Sequence, residues 1–167
     1  MQVRSPRSAD FSLKTERLGP LPLVNHFIER MGLPALLEKY VPTTDPRSRV
    51  SNARALGVLL RSIVVEREPI YRAQETVHGF ATGLFGVAGA NSQRLPDDRL
   101  GRALDHLFEA DRGALLTEVV LSVTKRFAVE LRELHNDSTS VAFCGQYRDQ
   151  RPSARSGKRA PAITYGY

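Results

Sequence analysis

Residues 134–147, LHNDSTSVAFCGQY, set one carboxylate, Asp137, beside Ser138, Thr139 and Ser140, with β-favouring residues downstream. A carboxylate held on a rigid strand can serve as an oxygen ligand between two divalent cations, which activate water and stabilise a leaving 3′-oxygen. An aspartate there can equally shape a turn between two hairpin strands, because its side chain bonds backbone two residues on. The residues alone leave both readings open.

The next chemistry is electrostatic. Arg148, Arg151, Arg155, Lys158 and Arg159 are five cations with only Asp149 between them, so this run carries 5 − 1 = +4 of the chain's net +6. Cations in such a run can track a phosphate backbone and release its counterions; the alternative is a solvated loop. Only four of the 24 cations are lysine; arginine forks suit phosphate, and a GC-rich genome gives the same excess. Other arrangements carry less. His26, His78, His106 and His135 have no zinc-finger or HExxH spacing. His135, Asp137 and Ser138 do not form a triad, since on a strand the first two share a face and Ser138 points away. Gly83, Gly86 and Gly89 read GxxGxxG with no following GK[ST], an ordinary loop.

These residues need elements to hold them. Residues 1–17 are polar and without sustained period, an expected flexible arm. PLPLVNHFIERMG reads as a helix stopped by Gly32, and LPALLEKYVP as a second, closed by Pro42. TTDPRSR is turn material. Ser51 is an N-cap for NARALGVLLRSIVVERE, with Leu56, Leu59, Leu60, Ile63 and Val64 as its expected buried stripe. Pro69 is expected to start a helix through IYRAQETVHGF. The pair 52–66 and 69–80 has the short connection that a helix-turn-helix needs, a weak signal. Residues 81–95 read as loop, and Asp97 as the cap of DDRLGRALDHLFEAD. A last helix from about Asp111 to Leu131 is apolar on more than one face and is expected to lie between layers. From residue 131 the texture turns strand-like, followed by a basic loop over 148–161 and another strand in AITYGY. Three strands alone do not make a stable domain, so the chain is expected to stop inside a second one.

Composition bounds the setting. A hydrophobic content of 41% supplies a core, and the lone Cys144 has no disulfide or CxxC partner. No secretory signal and no membrane span are expected, which points to the cytoplasm. A sequence pI of about 9.9 favours an anionic partner.

Four segments in order carry a resemblance: ERLGPLPLVNHFIERMGLPALLEKYVP (16–42), LPDDRLGRALDHLFEAD (95–111), LHNDSTSVAFCGQY and GKRAPAITYGY. Together they resemble DDE-type transposases of bacterial insertion sequences, in the group that begins with a helical domain. The resemblance covers most of residues 16–167. It implies a mainly α chain, an N-terminal helical domain followed by the first β-strands of an incomplete ribonuclease H-like α/β domain. The implied divisions are an arm at 1–17, a helical DNA-binding or dimerisation domain at 18–130, and the first catalytic-domain strands at 131–167. Asp137 lies in the LxxDxTS-like context that in the family holds the first of three catalytic, metal-binding carboxylates. Such enzymes cut element ends and join the 3′-hydroxyl to target DNA with two Mg²⁺ ions. The other two carboxylates lie beyond Tyr167, so the chain alone is expected to be inactive. Transposon-end DNA is the expected partner, with a second copy of the chain as another and no membrane. A different class of role stays open: a non-catalytic helical module that binds DNA or protein and regulates a full-length transposase.

Overall fold

Local signals place most of the helices. The computed structural model of the chain describes residues 13, 15–87, 95–133, 154–155 and 157–159. Among them are six α-helices, two 3₁₀ turns and one hairpin of two-residue strands, so the described protein is mainly helical. Helix α1, Leu21–Met31, ends at Gly32, whose φ of 70° is left-handed backbone that glycine adopts without Cβ strain. Helix α2, Leu33–Tyr40, follows at once and stops at Val41 before Pro42. Ser51 caps α3, Asn52–Val65, by accepting a hydrogen bond from the Arg54 amide, while its own hydroxyl donates to Glu38 Oε1 at 2.7 Å. Replacing Ser51 with alanine removes both bonds and is expected to cost about 1 kcal/mol, read as a lower urea midpoint at constant m.

Downstream, three expectations shift. The segment after Pro69 is a 3₁₀ turn, Ile70–Arg72, before a short α4, Ala73–His78. Helix α5, Asp97–Glu109, starts at Asp97 itself, with Pro96 at the cap position, so Asp97 is a first-turn anion rather than the cap. Helix α6, Arg112–Phe127, is capped by Asp111 Oδ1 and ends four residues earlier than its apolar pattern, where Ala128 turns left-handed at φ 50°. Nor is α6 sandwiched. Leu115 is its one buried residue, and Leu116, Val120 and Leu121 face solvent.

Burial on α3 also departs from the expected stripe. Ile63 and Val64 are exposed, and the sealed residues are Ala53, Ala55, Leu56 and Val58, with Arg61 and Ser62 further along. Small residues on that face let α2 and α5 pack closely on α3. The core gathers Leu21, Leu37, Val41, Val50, Leu56, Val58, Val77, Phe85, Leu95 and Leu100. Phe85 comes from a 3₁₀ turn, Thr82–Phe85, inside the stretch that reads as loop. The end of the expected flexible arm is tied down: Arg17 O accepts from the Ala81 amide at 2.8 Å, and its guanidinium pairs with Glu66 at 2.9 Å and lies over the Phe80 ring.

Helix α6 is fastened to α1 and α2 by polar contacts. Ser122 Oγ donates to Met31 O at 2.6 Å, and Glu118 accepts from Lys39 Nζ and from Tyr40 Oη. The bonds from Lys39 and then Tyr40 hold the Glu118 carboxyl below its ordinary 4.5. A depressed carboxylate adds stability that is complete above the unfolded value and lost as pH falls through the folded one. The expected result is acid destabilisation below about pH 4.5 that shrinks in Glu118→Gln, measured by thermal midpoints at pH 3 to 7.

The expected ribonuclease H-like strands, in 131–147 and in AITYGY at 162–167, lie from residue 134 on outside the described residues. Residues 131–133 are irregular, and the segment expected as a loop contains β1, Ala154–Arg155, paired antiparallel with β2, Lys158–Arg159, around Gly157 at φ 75°. No helix among the described residues is long and apolar enough to cross a membrane.

Candidate nucleic-acid interface

A turn and a helix build a basic cavity. Asp45-Pro46-Arg47-Ser48 is a tight turn: Asp45 Oδ1 accepts from the Arg47 amide at 2.9 Å, and Asp45 O from the Ser48 amide at 3.0 Å. Proline at the second position presets the backbone for it. Arg99 on α5 then pins the far end of this loop. Its Nε and Nη2 donate to Val50 O at 2.9 and 2.7 Å, and Nη2 also to Asn52 Oδ1 at 2.8 Å. Asn52 in turn donates to Pro42 O at 2.9 Å and receives no slack at its amide, which donates to Thr43 Oγ1 at 2.7 Å. The loop 43–50 is thereby held rigidly between α3 and α5.

Between the loop and α5 lies a cavity of about 590 Å³, lined by Thr43, Arg47, Arg49, Arg99, Arg102 and His106 among others. Four arginines face one aspartate there, Asp45. Asp45 and Arg47 form an exposed pair at 3.3 Å, weak in water. Burial lowers the pKa of Arg99, and the neighbouring charge of Arg102 lowers it further. Positive charge is therefore crowded, and an anion in the cavity would relieve it. Exposed guanidinium forks with adjacent threonine hydroxyls match the bidentate geometry of phosphate oxygens. The far side of Arg102 borders an acidic strip, Asp97, Asp98 and Asp105, which limits an anionic ligand to the loop side.

The residues singled out from sequence are placed as follows. Asp137, Arg148 and Arg151 lie outside the described residues. Arg155 and Arg159 are on the two hairpin strands, in register with Lys158 and Ala154 respectively. Lys158 is turned inward: its ammonium donates to the carbonyls of Phe108, Glu109 and Ala110 at 3.2, 2.8 and 2.5 Å. A cation there satisfies the orphan carbonyls and the negative end of α5. Its three donors are spent on holding the hairpin to the helix.

The α3–α4 pair makes a poor groove-reading unit. Helix α4 is only six residues long, with Ala73, Thr76 and Val77 buried, and Glu66, Glu68 and Glu75 surround its exposed side. Arg72 pairs there with Glu68 and Glu75 at 3.3 Å, so that face offers no excess positive charge to a phosphate backbone. His26 and His78 are exposed on their helices and His106 lines the basic cavity. Among the described residues no three His, Cys, Asp or Glu converge to hold a metal ion. Sequence reasoning missed Arg47, Arg49, Arg99 and Arg102. The available signal was two arginines in the turn TTDPRSR and two more at i, i+3 spacing on α5, which share a helix face.

No curated protein and no solved structure matches the chain. Residues 13–121, spanning α1 to α5 and most of α6, match a family described as a domain of unknown function, DUF4277. That match covers more than half of the 167 residues, and the chain belongs to the DUF4277 family.

Proposed function

We propose that the helical unit is the DNA-binding N-terminal domain of an insertion-sequence transposase of the DDE class, acting on transposon ends in the cytoplasm. The observation that carries this reading is the rigid cavity with four arginines against one aspartate. The resemblance of residues 16–42, 95–111 and 134–147 to such transposases supports it. Backbone phosphates enter the cavity from the loop side, and the basic run at Arg148, Arg151, Arg155 and Arg159 extends the contact. In the same reading Asp137 supplies the first of three catalytic carboxylates toward Mg²⁺, on the opening strand of a ribonuclease H-like domain. In this reading the helical unit binds DNA and the ribonuclease H-like domain carries the cleavage chemistry.

A non-catalytic regulator of a full-length transposase is the second reading. The outward Leu116, Val120 and Leu121 of α6 favour it, because they offer an apolar face to a second copy or a partner chain. Duplex DNA titrated into the purified chain at 50 to 300 mM salt tests the first reading. Log Kd should rise with log salt by about 0.9 for each phosphate neutralised, and at least three contacts give a slope near 2.7. Binding that ignores salt rejects the cavity as a phosphate site. Sedimentation at micromolar concentration tests the second, which fails if the chain is a monomer that leaves partner activity unchanged.

A further inference from the structure

A second cavity, separate from the arginine cleft, encloses a different charge. It lies between α1, α2 and α3, holds about 320 Å³, and has Ile28, Leu37, Ala53, Leu60 and Phe85 in its walls. Arg61 also lines it and is only 8% exposed. Among the described residues its guanidinium makes two bonds, both to neutral acceptors: Nε donates to Asn25 Oδ1 at 2.7 Å and Nη1 to Gly57 O at 2.9 Å. Asn25 is itself fixed, donating to Leu84 O at 2.8 Å. Room for the guanidinium exists because residue 57 is glycine; a Cβ there would stand 2.9 Å from Nη1.

Two consequences follow. No carboxylate among the described residues forms an ion pair with Arg61, so a nearly buried cation has no counterion in contact. Burying such a charge is costly unless it is paired, and burial lowers the Arg61 pKa, with Glu29 offsetting part of it. Nη2, moreover, donates to no atom of the described residues, yet no side-chain nitrogen is both sealed from solvent and without a partner. Arg61 lines the cavity, so its guanidinium borders that space. Glu29 and Glu38 stand exposed at the mouth beside Arg54, where water screens them, and Glu38 is held by the Ser51 hydroxyl.

We infer that this cavity is a binding site for a small carboxylate on an apolar stem. The stem lies on Leu33, Leu37 and Leu60, and the carboxylate accepts from the Arg61 guanidinium. A volume of about 320 Å³ belongs to the small-ligand class, in which apolar walls give affinity and one placed polar group fixes orientation. The carboxylate can belong to a free organic acid or to the terminus of a peptide ending in an apolar residue.

The test uses the full chain, with sodium octanoate and 1-octanol as probes followed by amide shifts at Gly57, Leu60 and Gly86. Saturable octanoate binding at least tenfold tighter than octanol is expected, unchanged by millimolar inorganic phosphate. Arg61→Met should erase the discrimination between the two probes. Because Arg61 also ties α3 to α1 through Asn25, Gly57→Ala serves as the second variant, displacing the guanidinium and costing at least tenfold in octanoate affinity. A tetrapeptide with a free C-terminal leucine, set against its amide, identifies the source: preference for the free peptide over octanoate assigns a chain terminus, the reverse an organic acid. Equal affinity for octanoate and octanol, or no saturation by either carboxylate at millimolar concentration, overturns the inference.

Discussion

Alanine at Arg47, Arg49 and Arg102 together should weaken binding to duplex DNA by two to three orders of magnitude at 0.1 M salt. Each phosphate contact changes affinity by about eight-fold between 0.1 and 1 M salt, so three contacts account for roughly 10²–10³. The slope of log Kd against log salt should fall by about 2.7 in the same variant, which separates lost phosphate contacts from general misfolding. Stability should hardly move, because all three side chains are solvent-exposed and the one ion pair among them, Arg47 with Asp45, has 90% and 54% exposed side chains. Arg99 is excluded from this set because its bonds to Val50 and Asn52 hold the loop, and its removal would release the cleft geometry as well as a charge. Alanine at Arg148 and Arg151 is the companion variant. If it lowers the slope and the cleft variant does not, DNA follows the tail and the cleft is not the interface.

The largest stability change is expected at Phe85. Its side chain is fully buried and packs edge-on against Phe80, with ring centroids 6.0 Å apart. Truncation to alanine removes that contact and leaves a void against Leu84, Gly86 and the walls of the Arg61 cavity, at a cost of about 3–5 kcal/mol. Domains of this size are stable by only about 5–15 kcal/mol, so Phe85→Ala should lower the urea midpoint steeply or leave the chain partly unfolded. Leu121→Ala, at 62% exposure, is the control and should change stability by less than about 0.5 kcal/mol. Equal effects from the two would mean that the turn at 82–85 does not seal the core.

Much of the element order can be read in single residues. Gly32 stops α1, Pro42 follows the end of α2 and Ser51 opens α3, because capping and left-handed backbone are decided by a few neighbouring atoms. The same locality explains the errors. Asp97 looks like a cap from its neighbours, but the chain direction set by Pro96 starts the helix one residue earlier. An apolar run continues past Phe127, yet α6 ends there.

Faces and sites were decided by tertiary structure. Leu59, Leu60, Ile63 and Val64 make as good an apolar stripe on α3 as the residues actually sealed, and a helix by itself has no preference between two such faces. The partners choose: α2 and α5 pack on α3, Ala53, Ala55 and Val58 are buried, and Ile63 and Val64 are left in water. Phe85 looks like a loop residue because its burial depends on helices distant in sequence. The arginine cleft joins residues 43–52 to residues 96–106, and the Arg61 cavity joins three helices and a turn. By itself the sequence determined where α1 and α2 stop and where α3 starts, and that excess positive charge gathers near the C-terminal run. Only the packed chain decided which cations share a cavity and which one, Lys158, is spent on a helix end. The physical reason is range: backbone capping acts over one turn, whereas burial and charge crowding depend on whatever the fold brings within a few ångströms.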